Sequence, residues 1–327
     1  MAEPIPTGLE SLLPSKLREL EYSQSAIPAL AKDPAAMREI RQALRHLQTS
    51  HHLHLGDART MSFLKPETVH LVVTSPPYWT LKQYRDSDGQ MGHVEDYDDF
   101  LDALNEVWRQ CYDALVPGGR VVCVVGDVCL SRRRNNGRHT VVPLHSSIQE
   151  RCRLLGYDNL APIIWHKIAN AVYEAGGGGF LGKPYEPNCV LKNDIEFILL
   201  ERKPGGYRKP ALPTRLMSII AEDEHRNWFQ QIWTGLTGAS TRDHPAPYPV
   251  ELAERLIRMF SFAGDTVLDP FMGTGTTTIA ASQCGRNSIG VEIDPSYFKY
   301  AEARVHKHTA GLFGGLDVRA FNGQVIA

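Results

Sequence analysis

Apolar positions recur along the chain with two different periods, and the period switches repeatedly. Near the N-terminus, Asp33 followed by Pro34 predicts a helix start with proline at the first helical position. Met37, Ile40, Leu44 and Leu47 then return at helical spacing and form one apolar stripe. That stripe needs a partner, which is either the rest of this chain or a second subunit. From His51 onward, strand and helix patterns alternate. Leu53 to Gly56 and Val69 to Thr74 read as short strands, separated by a loop at Lys65–Pro66. Tyr97, Phe100, Leu101, Leu104, Val107, Trp108, Cys111 and Leu115 trace a helical face that Pro117-Gly118-Gly119 should stop. Arg120 to Val125 is a β-branched run closed by Gly126, hence a buried strand.

Further on, a helix over 144–155 precedes strands at 160–165 and 194–201. Leu252, Leu256, Met259 and Phe260 mark another helix. Thr266 to Asp269 is a strand, Thr276 to Cys284 a helix, Ser288 to Ile293 a strand, and Pro295 opens a last helix. Alternation of this kind predicts an α/β fold, a mostly parallel sheet covered by helices. Two stretches break it: 168–193, with four successive glycines from Gly176 to Gly179, and 202–243, rich in Arg, Lys, Pro and Gly. Both read as long loops, which in a compact domain are usually functional or disordered.

Composition narrows this picture only slightly. The 327 residues are 43% hydrophobic and 22% charged, ordinary for a globular chain with a sizeable core. A formal net charge of -2 gives no global basic field, although a local basic face can sit inside a neutral total. The apolar run from Val121 to Leu130 is too short for a bilayer, and the N-terminus has no signal-peptide pattern. Six scattered cysteines without a CxxC pair point to a reducing, cytoplasmic setting without structural zinc. His51, His52 and His54 lack partner ligands and read as strand residues, so no metal is expected.

The segment from Val267 to Thr276 carries the first chemistry. A buried strand ends in Asp269, and Gly273 and Gly275 allow a tight turn into a helix, bringing backbone close to a ligand. Glu292 ends the following strand, 23 positions after Asp269, where a carboxylate can accept both ribose hydroxyls of an adenosine ligand. A dinucleotide fingerprint would place a third glycine where Thr278 stands, and no phosphate-binding lysine opens the helix. The loop therefore suits an adenosine ligand without a pyrophosphate, such as S-adenosylmethionine; a bare strand–helix turn is the plainer alternative.

The second informative segment is Thr74-Ser75-Pro76-Pro77-Tyr78-Trp79. Two prolines remove two backbone donors and fix two φ angles. A rigid row of acceptors remains, the Ser75 hydroxyl oxygen and the Pro76 carbonyl, suited to holding the N–H bonds of an amino group. Held so, the nitrogen moves towards tetrahedral geometry and aims its lone pair at a methyl donor. Tyr78 offers a face on which an extrahelical base can stack.

Together these motifs resemble those of the DNA amino-methyltransferases, and their order, catalytic motif first, is similar to the β group of that family. The resemblance runs from about His51 to His306. It implies a Rossmann-like seven-stranded sheet in circularly permuted order, its last hairpin antiparallel. Ser75, Pro76, Pro77 and Tyr78 match the catalytic motif. Asp269, Phe271, Gly273, Gly275 and Thr276 match the cofactor loop, and Glu292 the ribose-binding acid. His244 and Pro245 resemble the segment around the methionine part of the cofactor. Asp57 matches a position near the adenine, or is a turn residue after a strand.

The domain expectation is then an N-terminal helical extension (1–50), a catalytic half (51–201), a target-recognition insertion (202–243), a cofactor half (244–310) and a tail (311–327). Adenine-directed relatives mostly carry Asp at the first motif position, so Ser75 favours the N4 amine of cytosine over the N6 amine of adenine. Duplex DNA is the expected partner, with basic loop residues Arg132, Arg133, Arg134 and Arg138, and Arg202, Lys203, Arg208, Lys209 and Arg215, contacting phosphate at the active-site face. A cognate restriction endonuclease is a possible companion, and a monomer and a homodimer both remain open. Alternatives are an amide- or RNA-directed relative, a silent DNA-binding subunit of a modification complex, and, more distantly, a nicotinamide oxidoreductase.

Overall fold

The computed structural model describes residues 3–18, 26–81, 89–133, 135–167, 193–238, 248–310 and 316–322. Its strands are β1 (Thr49–Leu55), β2 (Val69–Thr74), β3 (Leu115–Val125), β4 (Val128–Leu130), β5 (Thr140–Val142), β6 (Asp158–Asn159), β7 (Ile163–His166), β8 (Ile195–Arg202), β9 (Ile232–Trp233), β10 (Thr266–Asp269), β11 (Asn287–Glu292) and β12 (Leu316–Asn322). Helices α1 to α3 (Ser15–Arg18, Ala26–Ala31, Pro34–Leu44) precede the sheet. Within it come α4 (Tyr97–Ala114), α5 (Leu144–Leu155), α6 (Leu212–Leu216), α7 (Glu222–Trp228), α8 (Val250–Phe260), α9 (Thr276–Gln283) and α10 (Pro295–Thr309).

The spatial order is β12-β1-β11-β10-β2-β3-β8-β7-β9, with β6 also pairing with β8. From β12 to β3 every pairing is parallel; β8 runs antiparallel between β3 and β7. The seven strands from β1 to β7 in this order are the expected permuted sheet with one reversed strand, and β12 and the two-residue β9 and β6 are additions to it. The glycine-loop strands β10 and β11, late in sequence, lie centrally because β2 and β3 complete the sheet on one side and β1 on the other. Two apolar layers sandwich it. One gathers Phe100, Leu104, Trp108 and Cys152 from α4 and α5, the other Leu252, Leu256, Ala280 and Ala281 from α8 and α9.

Local chemistry accounts for the element ends. Asp33 caps α3 by accepting from the Ala35 and Ala36 amides, and Asp96 caps α4 through Asp98 and Asp99. Pro117-Gly118-Gly119 does not act as the expected plain turn. The helix stops at Ala114, and the chain passes straight into a strand whose pairing with β2 slips between Val69 and Leu71. Backbone bonds between Gly118 and Lys203, and between Lys203 and Gly119, stitch the irregular stretch to the chain beyond β8. Gly118 has φ +80°, and a β-carbon on Gly119 would come within 2.9 Å of the Val116 carbonyl oxygen, so both glycines are required.

The N-terminal stripe finds its partner within this chain. Leu9, Leu13, Met37, Ile40 and Leu44 share a small core with Leu216, Met217 and Ile219. Within the segment 202–243, the described residues 202–238 are not an open loop: they carry α6, α7 and β9 and bury Trp228 and Trp233. The tetraglycine segment falls at 168–192, outside the described residues.

Candidate functional site

The carboxyl ends of the parallel strands converge on one cavity. Gly56, Asp57 and Ala58 follow β1, Ser75 and Pro77 follow β2, Pro270, Phe271 and Gly273 follow β10, and Val291, Glu292 and Ile293 end β11. Gly89, Gln90, Met91 and Tyr297 close it. A crevice at the carboxyl ends of strands is where an open α/β sheet binds its ligand.

Glu292 anchors the cofactor side. Its carboxylate accepts the Gly273 amide (2.8 Å) on one oxygen and the Asp294 amide (2.9 Å) on the other. Each oxygen keeps a further acceptor position, enough for the two hydroxyls of a ribose. Burial pushes this carboxyl up to about 7, partly offset by those two amides. The glycine loop bends through Gly273 and Gly275, both at positive φ. A β-carbon on Gly275 would lie 3.0 Å from Val305 and 3.4 Å from Ala301, so this glycine serves the packing of α9 on α10. Asp57 holds Arg59 through a forked pair and also caps the short turn that follows. Gly89 (φ +80°) lies over that pair, where a β-carbon would meet the Arg59 guanidinium at 3.0 Å.

Three residues expected at the cofactor do not line the cavity. Asp269 is buried with its carboxylate saturated by Thr74 Oγ1 (2.7 Å), Thr277 Oγ1 (2.5 Å), the Tyr248 hydroxyl (3.2 Å) and the Phe271 amide (3.1 Å). With its acceptor positions occupied by protein donors, it ties β10 to the end of β2. Burial raises its carboxyl, and the four donors oppose that shift. Thr276 is occupied by Arg304 of α10, and Gly275 packs as described. His244 and Pro245 lie outside the described residues.

On the acceptor side, Ser75 and Pro77 face the cavity, while Pro76 and Tyr78 are buried beside it. Ser75 Oγ and the Tyr78 hydroxyl are 3.4 Å apart. Trp79, at φ 45°, turns the chain away, donates to the Val94 carbonyl (2.9 Å) and packs edge-on against Tyr97. The rigid motif is thus braced from both ends: Thr74 is fixed by Asp269, and Trp79 by the entry to α4. Gly126 backs Tyr78, and the adjacent Asp127 holds His145 at 2.6 Å, which stacks on Phe197.

The basic residues separate into two groups. Arg132, Arg133 and Arg138 are exposed on the β4–β5 hairpin, beyond the carboxyl end of β3 and so on the cavity side; Arg134 lies outside the described residues. Arg202, Lys203 and Arg208 occupy the other end of the sheet, contrary to the expectation of an active-site face. Arg202 is opposite Arg120 at the start of the paired part of β3 and bonds Asp158 (2.8 Å). Lys203 donates to the Leu115 carbonyl, and Arg208 is clamped between Glu3 and Asp265. Lys209 follows it there, its amide bonded to Glu3, and Arg215 lies in the last turn of α6, whose Leu216 packs against the N-terminal segment. The reversal of β8 explains the placement: an antiparallel strand delivers the segment after it to the amino ends of its neighbours.

Missed from sequence were the cavity residues Gly89, Gln90 and Met91 and the Tyr248 hydroxyl on Asp269. Positive φ at Gly89 is a signal that glycine identity alone hinted at; nothing marked Met91 as a cavity wall.

Comparison with known proteins agrees with this geometry. The family described as DNA methylase matches residues 69–303. The type II methyltransferase M.MjaI of Methanocaldococcus jannaschii is 38% identical, over 79% of this chain and 92% of its own. M.MthZI of Methanothermobacter thermautotrophicus, likewise a type II methyltransferase, is 32% identical, over 85% and 82%. A DNA modification methylase assigned in Thermus thermophilus, solved in complex with S-adenosyl-L-methionine, superposes with a TM-score of 0.69 at 50% identity, covering 84% of this chain and 99% of that one. The cytosine-N4-specific PvuII DNA methyltransferase shares the fold at 19% identity, with a TM-score of 0.57 and coverage of 83% and 96%. With its Ser-Pro-Pro-Tyr segment ahead of its glycine loop, the chain belongs to the DNA methylase family of N6/N4 amino-methyltransferases, in the β-group arrangement found in restriction–modification systems.

Proposed function

We propose that this protein transfers the methyl group of S-adenosylmethionine to the N4 amine of cytosine in duplex DNA. The observation that carries the reading is that the Ser75 hydroxyl and Pro77 line the same cavity as Gly273 and Glu292. A methyl acceptor held at the first pair and a nucleoside held at the second share one space. The residues fit the cofactor: Glu292 offers open acceptor positions to a ribose, Ala58, Met91, Phe271 and Ile293 give apolar walls, and Asp57 lines the same space.

When bound, the cofactor supplies an electrophilic methyl group on a sulfonium. Ser75 Oγ and the Pro76 carbonyl accept the two N–H bonds of the amine and orient its lone pair, and Tyr78 supports the extruded base. Attack is direct and in line, with no covalent enzyme intermediate. Alignment of this kind supplies up to about 7–11 kcal/mol in well-oriented systems. No strong base is required, since the proton leaves after transfer.

The catalytic half (51–201) and cofactor half (244–310) are proposed as one methyltransferase domain. Exposed Arg132, Arg133 and Arg138 on the cavity side are its phosphate contacts, in place of a recognition role for 202–243. A cytoplasmic setting and a cognate endonuclease belong to the same reading. The test is incubation with duplex DNA and methyl-labelled cofactor, digestion to nucleosides and mass spectrometry. N4-methylcytosine supports the assignment; N6-methyladenine keeps the mechanism and overturns the use made of Ser75; cofactor binding without any methylated nucleoside overturns the DNA reading.

A further inference from the structure

The basic stretch after β8 surrounds a second cavity, of about 390 Å³, at the amino ends of the parallel strands and therefore across the sheet from the methyl-transfer site. Arg120, Arg202 and Arg208 all line it, with Asp158, Tyr207 and Phe260. The charges there are unevenly paired. Arg208 is matched by Glu3 and Asp265, and Arg202 by Asp158. Arg120 has no carboxylate partner among the described residues. Its Nε is buried without a hydrogen-bond acceptor, and its one protein acceptor is the Gly118 carbonyl at 3.5 Å.

Arg120 is moreover the direct cross-strand partner of Arg202, and like charges facing each other across a ladder are destabilising. A protein that needed only stability at this point would gain from a neutral residue. Burial and the Arg202 charge both oppose the cation on Arg120, while the Tyr207 phenol favours it. Phe260 carries the guanidinium face at 5.7 Å from its ring centroid, leaving the donor edge for something else. Tyr207, at 91% exposure, stands at the mouth with its hydroxyl and ring uncovered.

We propose that this cavity is an anion site for a phosphate group, held by Arg120 with the Tyr207 hydroxyl at the rim and Arg202 behind. A phosphate gives Arg120 the anionic partner that the carboxylates on Arg202 and Arg208 do not, and accepts the guanidinium edge in a forked geometry. The phosphate comes either from a free phosphorylated metabolite or from a nucleic-acid backbone wrapping the far side of the protein, and both present the same chemistry to Arg120. The inference does not depend on which base is methylated.

The test uses the full chain. Inorganic pyrophosphate is titrated against the wild type, Arg120→Gln and Tyr207→Ala, with thermal shift and calorimetry as readouts, and with chloride at matched ionic strength as reference. Binding of a short duplex is measured on the same proteins, and S-adenosylmethionine affinity serves as the folding control. The expected result is a saturable pyrophosphate shift in the wild type, weakened about tenfold or more in Arg120→Gln. Tyr207→Ala, a change at an exposed position, should weaken it in the same direction with cofactor affinity unchanged. A null response to pyrophosphate, with duplex affinity reduced in both variants, assigns the phosphate to nucleic acid and also supports the site. Equal responses to chloride, or no difference among the three proteins with either ligand, overturn it.

Discussion

The two ends of the central sheet handle charge in opposite ways. At the carboxyl ends, Glu292 is held by two backbone amides and keeps acceptor positions open towards a cavity. At the amino ends, Arg208, Arg202 and Lys203 are answered by Glu3, Asp265, Asp158 and Glu67. An amide that fixes a carboxylate leaves its charge available to a ligand, whereas an opposite charge consumes it. Both ends contain polar groups in quantity, and only the state of their partners separates a binding surface from a structural seam. Asp269 shows that the distinction is local: it ends the strand beside Glu292, yet four protein donors make it a clamp.

The sharpest way to test that contrast is Ser75→Ala. Removing one preorganised hydrogen-bonding group at a reacting centre typically costs about a hundredfold or more in turnover. Single-turnover methylation should fall by that factor, with urea midpoint and cofactor affinity unchanged. Arg208→Met is the mirror experiment. It takes the guanidinium from Asp265, nearly buried at 6% side-chain exposure and left with the Phe262 amide and His70, and should cost about 3 kcal/mol of stability by urea denaturation. Activity per folded molecule should be preserved.

Glu292 gives a smaller, pH-dependent signature. Because burial pushes its carboxyl up to about 7, the ionised form that accepts ribose hydroxyls fills in as pH rises. Cofactor affinity by calorimetry should strengthen roughly tenfold from pH 6 to pH 8 and then level off. Glu292→Gln should bind more weakly and flatten the profile. The smallest effect belongs to Glu201, fully buried on β8 under α5. Burial pushes its carboxyl up to about 7 against a weak pull from Gln149. A folded carboxyl that holds its proton longer than the unfolded one stabilises at low pH, and that contribution is lost as pH rises from the ordinary glutamate value through about 7. Glu201→Gln should therefore raise Tm by about 2–4 °C at pH 8 and leave it nearly unchanged at pH 4, below the ordinary glutamate value.

Much of this was legible in the residues. Val69–Thr74 and the helix over 144–155 were marked by their apolar pattern and breakers, and both stand with the expected bounds. The motifs at Ser75 and Gly273 could be placed because turn chemistry is local. What could not be read depends on which end of the sheet a segment reaches. The positive charge of 202–215 is plain in sequence, but its direction is set by the reversal of β8. Burial of Met217 and Ile219 depends on a core shared with Leu9 and Met37, some two hundred positions away. Gly89 and Met91 enter the cavity from a connection with no periodicity of its own.

The strand order has a consequence for how the protein is made. Thr74 and Asp269, bonded to each other beneath the cavity, are separated by 195 positions. At about 5–20 residues per second, a ribosome exposes β2 for roughly 10–40 s before its neighbour β10 is synthesised. During that interval the apolar β2 has β3 on one flank and an open edge on the other, an invitation to mispairing that nascent-chain chaperones would have to cover. The same order means that a chain stopped before β10 carries the Ser75 motif without the glycine loop. Such a chain lacks Gly273 and Glu292, and with them one wall of the cavity.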